Sequence, residues 1–564
     1  MRRLGLVAVT AIALVCGPTL SAWAEPSANP RVASPSLTGE DGGSADLLTG
    51  GAAADSVTAS DRAAAAEAQS TVTDLFAPKS RAAARQQTTT AADPTLALRD
   101  LALRLNAAGR APAGSSLASY QRPWDDGQGG TASQCTDNLC LHWATSAAAT
   151  GKSADITNTA WAQGTVLPVL SQITTTYQRS GYRKPVADAS YVTNPYSRYY
   201  GRPTNWGGSS ATDIYLEDLG GTGIYGYCAF DLDDDGRLVY YPARGAGAVP
   251  AFCVLDNDFA LSQYRATYAG ETPADMLKVT AAHEYFHATQ FAYDSFEDAW
   301  FMEATATWAE RQVYPGIPDN RQYLPYSQLR YPSTSLDTYG GNRGLLQYAD
   351  WIYFEYLTKR STARTGSMPN LVLNMWQRAD SLGADQYSMQ AIASALAARR
   401  LDFATTYGQF AAANRRPSSY LGGGAYPVAS ANRTFTLRKK AKRSGTVKIN
   451  HLASATFRFK PKKISPGNRR AKISVDMANR SAGSVALVTI VQRNGRATVK
   501  SIKLNKLGNG AIKIAFSSKR IAYVELTLVN ANRRYTDCST NQSSYSCGGT
   551  PVRDRVKEKW KIQA

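Results

Sequence analysis

Two histidines four positions apart most constrain what this chain can fold into. Residues 278–290 read Lys-Val-Thr-Ala-Ala-His-Glu-Tyr-Phe-His-Ala-Thr-Gln, an H-E-x-x-H pattern that contains His283, Glu284 and His287. On a helix, residues four apart share one face, so both imidazoles can point at one cation. Glu284 is offset from that pair, which suits a base acting on water rather than a ligand. The pattern therefore predicts a helix that carries a metal site.

The surroundings of this pattern favour a metal site over a polar helix face that matches by chance. The flanking residues are apolar, so the helix is expected to be mostly buried, where imidazoles and a carboxylate are costly without a partner. The chain contains only four His, and two of them are in this pattern. A second apolar stretch, residues 300–310, supplies Glu303. Two His and one carboxylate form a known catalytic zinc set that leaves one coordination position open.

The second stretch also carries a resemblance to a known family. Residues 300–310, Trp-Phe-Met-Glu-Ala-Thr-Ala-Thr-Trp-Ala-Glu, resemble the W-x-x-E-[GA]-x-A-x-[WY]-x-E segment of the gluzincin metallopeptidases, the group of thermolysin and the zinc aminopeptidases. The run 283–290 is similar to that of bacterial predicted secreted metalloproteases. The resemblance, over about residues 210–360, implies that His283, His287 and Glu303 bind zinc and that Glu284 is the general base.

The chain departs from the gluzincin pattern at two places. Fifteen residues separate His287 from Glu303, fewer than in thermolysin, and Ala304 replaces the commoner Gly. The metzincin pattern fails, because Gln290 and Tyr293 stand where its Gly and third His would be.

The resemblance implies a secreted zinc-dependent metalloendopeptidase that hydrolyses peptide bonds with zinc-activated water and Glu284 as base. Tyr348 is the candidate stabiliser of the tetrahedral intermediate, because it follows the second zinc helix as the Tyr of aminopeptidase-like gluzincins does. Tyr339 is the rival, and plain packing is the alternative role for both. Two other function classes stay open: an exported envelope-binding or adhesion protein that retains a zincin fold, and a metal-dependent amidase acting on cell-wall peptide.

The order of the elements predicts an α+β zincin-like catalytic domain over residues 93–425, with a sheet followed by helices. Strand-like runs precede the zinc helix at 212–217, 238–241 and 252–255. Residues 431–564 then alternate as short strands separated by turns, which predicts a C-terminal all-β sandwich-like domain.

The N-terminal residues are typical of an exported protein. Residues 1–24 read as a signal peptide, with two arginines, a short apolar core and an Ala-Trp-Ala cleavage site. No later segment reaches the roughly 20 apolar residues of a membrane-spanning helix. The expected location is extracellular, either secreted or retained at the cell surface. Residues 25–92 are rich in Ala, Ser and Thr and are predicted to be disordered, as a removed pro-segment or a plain spacer.

Six cysteines remain after signal cleavage, and an even number favours disulfides in an exported protein. Their clustering along the chain predicts the pairs Cys135–Cys140, Cys228–Cys253 and Cys538–Cys547. A cysteine metal site is the alternative, although the chain has no C-x-x-C.

An acidic loop suggests Ca²⁺ as a second metal. In the run Asp-Leu-Asp-Asp-Asp-Gly, Asp231, Asp233 and Asp235 offer oxygen donors at alternate positions before a turn glycine. An acidic β-turn is the alternative. Pro242 stands where an EF-hand has its last Glu, which excludes that motif.

Positive charge is concentrated in the C-terminal region. Residues 431–564 contain 30 Lys and Arg against 5 Asp and Glu, a net charge of +25, while the whole chain carries +19, so that residues 1–430 carry about −6. Beside protein or peptide substrates, the expected partners are therefore anionic cell-envelope polymers bound by this region. A solubilising surface is the alternative. Charge spread over many strands disfavours recognition of a specific nucleic acid.

Overall fold

A mixed five-stranded sheet forms the first layer of the fold. The computed structural model describes residues 58–79, 93–107, 122–124, 129–187, 207, 209–231, 247–340, 344–422, 426–465, 470–538 and 543–564. The strands are β1 (Thr131–Cys135), β2 (Leu139–Ala144), β3 (Thr212–Glu217), β4 (Gly226–Phe230) and β5 (Ala251–Asp256). They lie in the order β1-β2-β3-β5-β4, in which β2, β3 and β5 are parallel and β4 is an antiparallel edge strand. The predicted runs 212–217 and 252–255 are thus strands, while 238–241 lies outside the described residues.

Helices follow and cover this sheet. The described α-helices of eight residues or more are α1 (Ala59–Phe76), α2 (Pro94–Ala107), α3 (Leu167–Arg179), α4 (Pro273–Phe291), α5 (Ala299–Val313), α6 (Trp351–Arg360), α7 (Asn370–Ala379), α8 (Ser388–Ala397) and α9 (Phe403–Ala413). A 3₁₀ segment, Asp319–Tyr326, and a short helix, Leu346–Ala349, lie between α5 and α6. Helix α4 packs on β4, β5 and α5. Helices together with sheets confirm the α+β class.

Helix α1 corrects the prediction that residues 25–92 are disordered. A capping box starts the helix. Thr58 Oγ1 accepts a hydrogen bond from the Asp61 backbone N–H, and the Asp61 carboxylate accepts one from the Thr58 backbone N–H. One face is buried against α2 and consists of Ala65, Ala68, Val72 and Leu75. Alanine is the best helix former, so an alanine-rich segment with few aromatics can still pack as a helix. The rest of 25–92 and the predicted signal peptide, residues 1–24, lie outside the described residues.

The C-terminal region consists of two sheets that pack face to face. Its main strands are β6 (Arg433–Leu437), β7 (Lys442–Ile449), β8 (Ala453–Pro461), β9 (Arg470–Asp476), β10 (Ser484–Gln492), β11 (Ala497–Ser501), β12 (Asn509–Ala515), β13 (Ile521–Asn530) and β14 (Val556–Gln563). One sheet has the order β11-β10-β13-β8-β6 and the other β12-β9-β14-β7. Phe457 and Phe459 of β8 contact Trp560 of β14, with ring centroids 4.6 and 5.4 Å apart. This two-layer arrangement confirms the β-rich C-terminal region predicted from sequence alternation.

The C-terminal strands have a hydrophobic core of their own, and the helical region docks against them. Leu452, Val529 and Ala531 belong to the buried cluster that runs through the helical region, and α9 packs on β10 and β13. His451 Nε2 also lies 2.9 Å from Asp337 Oδ1 at this junction, where both side chains are buried. The predicted bounds 93–425 and 431–564 did not indicate whether the two regions dock.

The three predicted disulfides are all present. They are Cys135–Cys140, Cys228–Cys253 and Cys538–Cys547. The second joins the edge strand β4 to β5 beside α4. In the described part of the chain, no helix combines the length and apolar character needed to cross a bilayer.

Candidate metal centre and cleft

Helix α4 carries the H-E-x-x-H residues into the protein interior. Thr272 caps the helix through a capping box with Asp275, and Pro273 occupies the first helical position. Between the sheet and α5 the helix is covered on all sides, and every residue of the range 281–291 is buried. His283, Glu284 and His287 are therefore buried, as their apolar flanks predicted.

Helix α5 brings the third predicted ligand to the same place. Glu303 Oε2 lies 3.2 Å from His283 Nε2, and Glu303 Oε1 lies 3.4 Å from His287 Nε2. The candidate ligand atoms of the three side chains all lie within 4.8 Å of one another, and all three residues are buried. The structure thus places the three residues as a group that could hold a metal ion.

The group fits a divalent cation better than it fits hydrogen bonding. Although His287 Nε2 and Glu303 Oε1 are close, neither has a hydrogen-bond partner among the described residues, and both atoms are buried. Buried polar atoms without a partner are rare and call for an explanation, such as an ion. Two imidazole nitrogens and one carboxylate oxygen are the donors that Zn²⁺ uses in three-ligand sites.

Gln290 sets the orientation and tautomer of His287. Gln290 Nε2 donates to the Met302 carbonyl at 2.9 Å and to Thr305 Oγ1 at 3.0 Å, so Gln290 Oε1 must act as an acceptor. His287 Nδ1 lies 2.8 Å from that oxygen and therefore carries the proton. The lone pair is then on Nε2, the atom that faces Glu303. Sequence reasoning assigned Gln290 no role, although its position three residues after His287 on the same helix was a usable signal.

Glu310 orients the other histidine. Its Oε1 accepts from His283 Nδ1 at 2.6 Å, which leaves His283 Nε2 facing Glu303. Glu310 follows Glu303 by two helical turns and by spacing alone was the natural rival for the ligand role. The structure places Glu310 at Nδ1 of His283, on the opposite side of the ring from Glu303. A carboxylate in that position raises the basicity of a ligating imidazole.

Several acidic groups are crowded together at this site. Burial and the nearby Asp93 carboxylate raise the pKa of Glu303 well above its usual range. Burial raises the pKa of Glu284 to about 8 and that of Glu310 to about 7. Burial would lower the pKa of His283, but its hydrogen bonds to Glu303 and Glu310 outweigh that effect and raise it. Such a concentration of buried carboxyl groups favours a bound cation.

A cleft opens onto one side of the metal group. Its wall includes His283, Glu284, Glu310, Tyr348 and the edge-strand residue Gly226. Glu284 Oε2 accepts a hydrogen bond from Thr95 Oγ1 at 2.8 Å. Glu284 thus lines the cleft and is not one of the three residues of the metal group. Thr95 was not predicted as a site residue, and 189 positions separate it from Glu284, so no local pattern could have indicated the contact.

Tyr348 also faces the cleft, whereas its rival Tyr339 is not among the described lining residues. The Tyr348 ring lies 5.9 Å from the His283 ring and stacks on Tyr323 at 5.0 Å. Its hydroxyl donates to Asp93 Oδ2 at 2.7 Å. Asp93 and Tyr323 are further site residues that the sequence did not indicate.

The predicted calcium loop is only partly described. Asp231 is buried, and its Oδ1 accepts from Arg122 Nη2 at 2.8 Å, so this carboxylate already has a cationic partner. Asp233 and Asp235 lie outside the described residues.

A second group of metal-ligand types contains Cys140, His142 and Asp213. Cys140 is bonded to Cys135 and is not a free thiolate, while His142 Nε2 lies 2.9 Å from Asp213 Oδ1. His142 is thus paired with a buried carboxylate beside a disulfide, which is a structural arrangement.

Comparisons with known proteins do not assign the chain to a family. No protein-family model matches it, and no curated protein matches it. Similar solved structures include the pre-peptidase C-terminal domain of a collagenase from Bacillus anthracis, at 9% identity over 24% of this chain and 96% of that chain, with a TM-score of 0.15. A β-glucosidase from Paenibacillus barengoltzii shows 13% identity over 29% of this chain and 17% of that chain, with a TM-score of 0.12. A 4-O-methyl-α-glucuronidase with specificity for decorated arabinogalactans shows 8% identity over 50% of this chain and 41% of that chain, with a TM-score of 0.13. Scores this low establish no shared fold.

Proposed function

We propose that this chain is a secreted zinc-dependent metalloendopeptidase built on a zincin-like catalytic region. The observation that carries the proposal is the convergence of His283, His287 and Glu303 within 4.8 Å, with Glu284 at the wall of the adjoining cleft. This is a three-ligand site with a base directly beside it. Secretion is supported by the signal-like residues 1–24 and by the three disulfides, which persist in oxidising compartments.

Each polar residue of the site has a distinct task in hydrolysis. Zn²⁺, when bound, would polarise the scissile carbonyl and lower the pKa of a water molecule. The Glu284 carboxylate takes a proton from that water and delivers it to the amide nitrogen that leaves, so that a carboxylate and an amine result. Tyr348 is the hydroxyl donor on the cleft wall that could stabilise the developing oxyanion. Gln290 and Glu310 keep the two imidazoles oriented.

The edge strand β4 supports a peptide as the substrate. Its residue Gly226 passes so close to α4 that an added Cβ would lie 3.1 Å from Glu284 Cγ and 2.9 Å from Thr280 Cγ2. The backbone of β4 therefore runs directly beside the base. An extended peptide that paired with this edge by β-augmentation would bring its amide bonds to Glu284. Because such pairing involves the peptide backbone and not a chain terminus, it suits cleavage of internal peptide bonds.

The test is zinc content combined with zinc-dependent hydrolysis. The purified chain should contain one zinc, hydrolyse casein in long incubations, lose that activity with 1,10-phenanthroline and regain it when zinc is added. Hydrolysis that continues after complete removal of zinc would overturn the proposal. So would an absence of hydrolysis by zinc-loaded protein whose cleft has been made accessible.

A further inference from the structure

One outer sheet surface is an unusually uniform array of cations. In the four-stranded sheet, alternate side chains point away from the core, and the outward positions include eight exposed cations that we call the basic face. These are Lys442, Lys448, Arg470, Lys472, Lys513, Lys557, Lys559 and Lys561. Among the outward positions of these four fully described strands the only acid is Asp476, which pairs with Lys559 at 3.0 Å.

The strand register places like charges directly opposite each other on the basic face. Lys557 of β14 is opposite Lys448 of β7, and Lys472 of β9 is opposite Lys513 of β12. Directly opposed like charges destabilise a sheet. A bound polyanion would relieve this repulsion, whereas a merely solubilising surface would gain nothing from such pairing.

We propose that the basic face binds a repeating-phosphate polymer of the cell envelope. Lys557, Lys559 and Lys561 alternate along one strand, which spaces their Cα atoms by about 6.8 Å, and neighbouring strands lie about 4.8 Å apart. Seven of the eight cations are Lys, whose compact charge on a flexible stem can bind phosphate as a point charge without the fixed bidentate geometry of Arg, which suits a flexible polymer. No outward position of these strands is aromatic, so the face lacks the stacking platforms of single-strand nucleic-acid binders.

The test uses two charge-matched triple variants of the full chain. Lys557→Gln, Lys559→Gln and Lys561→Gln together should weaken binding to poly(glycerol phosphate) at low salt by at least about tenfold. The slope of log affinity against log salt should fall by about 2 to 3 units, as expected for three lost phosphate contacts. The control, Lys500→Gln, Lys503→Gln and Lys506→Gln, removes the same charge from exposed residues outside this sheet and should change affinity less than about twofold. Equal losses in both variants, no binding at low salt, or tighter binding of a single-stranded oligonucleotide of equal charge would overturn the proposal.

A different set of contacts carries a second inference, which rests on the proposed function. The N-terminal turn of α2 forms part of the cleft wall and is hydrogen-bonded to the groups that a substrate would use. The β4 backbone N–H of Cys228 donates to Thr95 Oγ1 at 2.9 Å, and the same hydroxyl donates to Glu284 at 2.8 Å. Asp93, which with Pro94 lines the cleft, accepts the hydroxyl proton of Tyr348. The edge strand, the base and the oxyanion candidate are thus all engaged by one short turn.

Helix α1 and the residues after it hold this turn in place. Phe76 packs edge-on against Tyr227 of β4, with ring centroids 5.0 Å apart. The Lys79 backbone N–H donates to the Gly221 carbonyl at 2.9 Å. Arg99 of α2 donates to the Glu297 carbonyl at 2.7 Å, close to the start of α5. We infer that the described residues 58–79 and 93–107 form a built-in inhibitor, which keeps these groups of the cleft hydrogen-bonded until the segment is removed.

The test separates inhibition from simple structural support. A recognition sequence for a site-specific protease, inserted between residues 110 and 113, allows the segment to be cut from the folded, zinc-loaded chain. Cutting should raise both casein hydrolysis and the affinity for a peptide hydroxamate by at least about tenfold. Thr95→Val, which removes both hydroxyl bonds, should raise the activity of the uncut chain. Loss of zinc, or a fall in both readouts after cutting, would show that the segment is an integral part of the site. A rise in hydroxamate affinity without hydrolysis would support occupancy of the cleft and contradict the peptidase function instead.

Discussion

Replacing Glu284 with Gln is expected to abolish hydrolysis while zinc remains bound. General acid–base catalysis contributes about 10²- to 10⁴-fold, so turnover of casein should fall by at least about 100-fold. The amide has nearly the same shape as the carboxylate, and its oxygen can still accept from Thr95 Oγ1, which accepts from Cys228 in turn. The local structure and the zinc content, measured by elemental analysis, should therefore stay at the wild-type level.

Glu271→Gln is the matched control for this experiment. Glu271 lines the same cleft and is buried, but its carboxylate accepts from Thr267 and lies outside the metal group. The control should keep its activity within a few-fold of wild type. Undiminished turnover in Glu284→Gln, or an equal loss in both variants, would remove Glu284 from the role of general base.

The second large effect is expected at Glu303. Glu303→Gln removes the anionic donor from the group with His283 and His287. Mutating a residue that only orients a metal ligand typically lowers metal affinity by roughly 10- to 100-fold, and the loss of zinc affinity in Glu303→Gln should be larger than that. Glu310→Gln, the matched variant on the same helix, should fall within that smaller range, because Glu310 contacts His283 Nδ1 on its outer side. Competition with a chromophoric zinc chelator measures both affinities.

Thermal unfolding distinguishes lost zinc binding from lost folding. A ligand that binds the folded state alone stabilises it by RT ln(1 + [L]/Kd), so zinc should raise the melting temperature of the wild type and, less strongly, that of Glu310→Gln. Glu303→Gln should unfold cooperatively and show little or no zinc-dependent shift. If Glu310→Gln loses the metal and Glu303→Gln keeps it, the ligand assignment on α5 is wrong.

The parts of the site that could be predicted from sequence are those set by local spacing. His283 and His287 share a helix face because they are four residues apart, and Cys135 with Cys140 can pair because the chain turns between two adjacent strands. Glu303 was found through its apolar neighbours and a family resemblance. Each of these signals lies within a short stretch of chain.

The parts that could not be predicted depend on how distant elements dock. Asp93 reaches the cleft and Thr95 reaches Glu284 because α2 packs on β4, and periodicity within α2 does not specify that neighbour. Helix α1 was missed because two of the four residues of its buried face are alanine and the surrounding segment is rich in Ala, Ser and Thr, a composition associated with disorder. The docking of the helices on the C-terminal strands could not be predicted either, because the sequence shows that Leu452 and Val529 are apolar but not which neighbours they contact.

The packing between the helical region and the C-terminal strands fixes the orientation of the cleft. Because α9 packs directly on β10 and β13, the angle between the cleft and the basic face is set by side-chain packing and not by a flexible linker. A chain held on an envelope polymer through the basic face would therefore present its cleft in one fixed direction. Only proteins that lie within a narrow range of positions relative to the anchoring polymer would then reach the cleft. Position would therefore restrict the choice of substrate in addition to the side chains of the cleft.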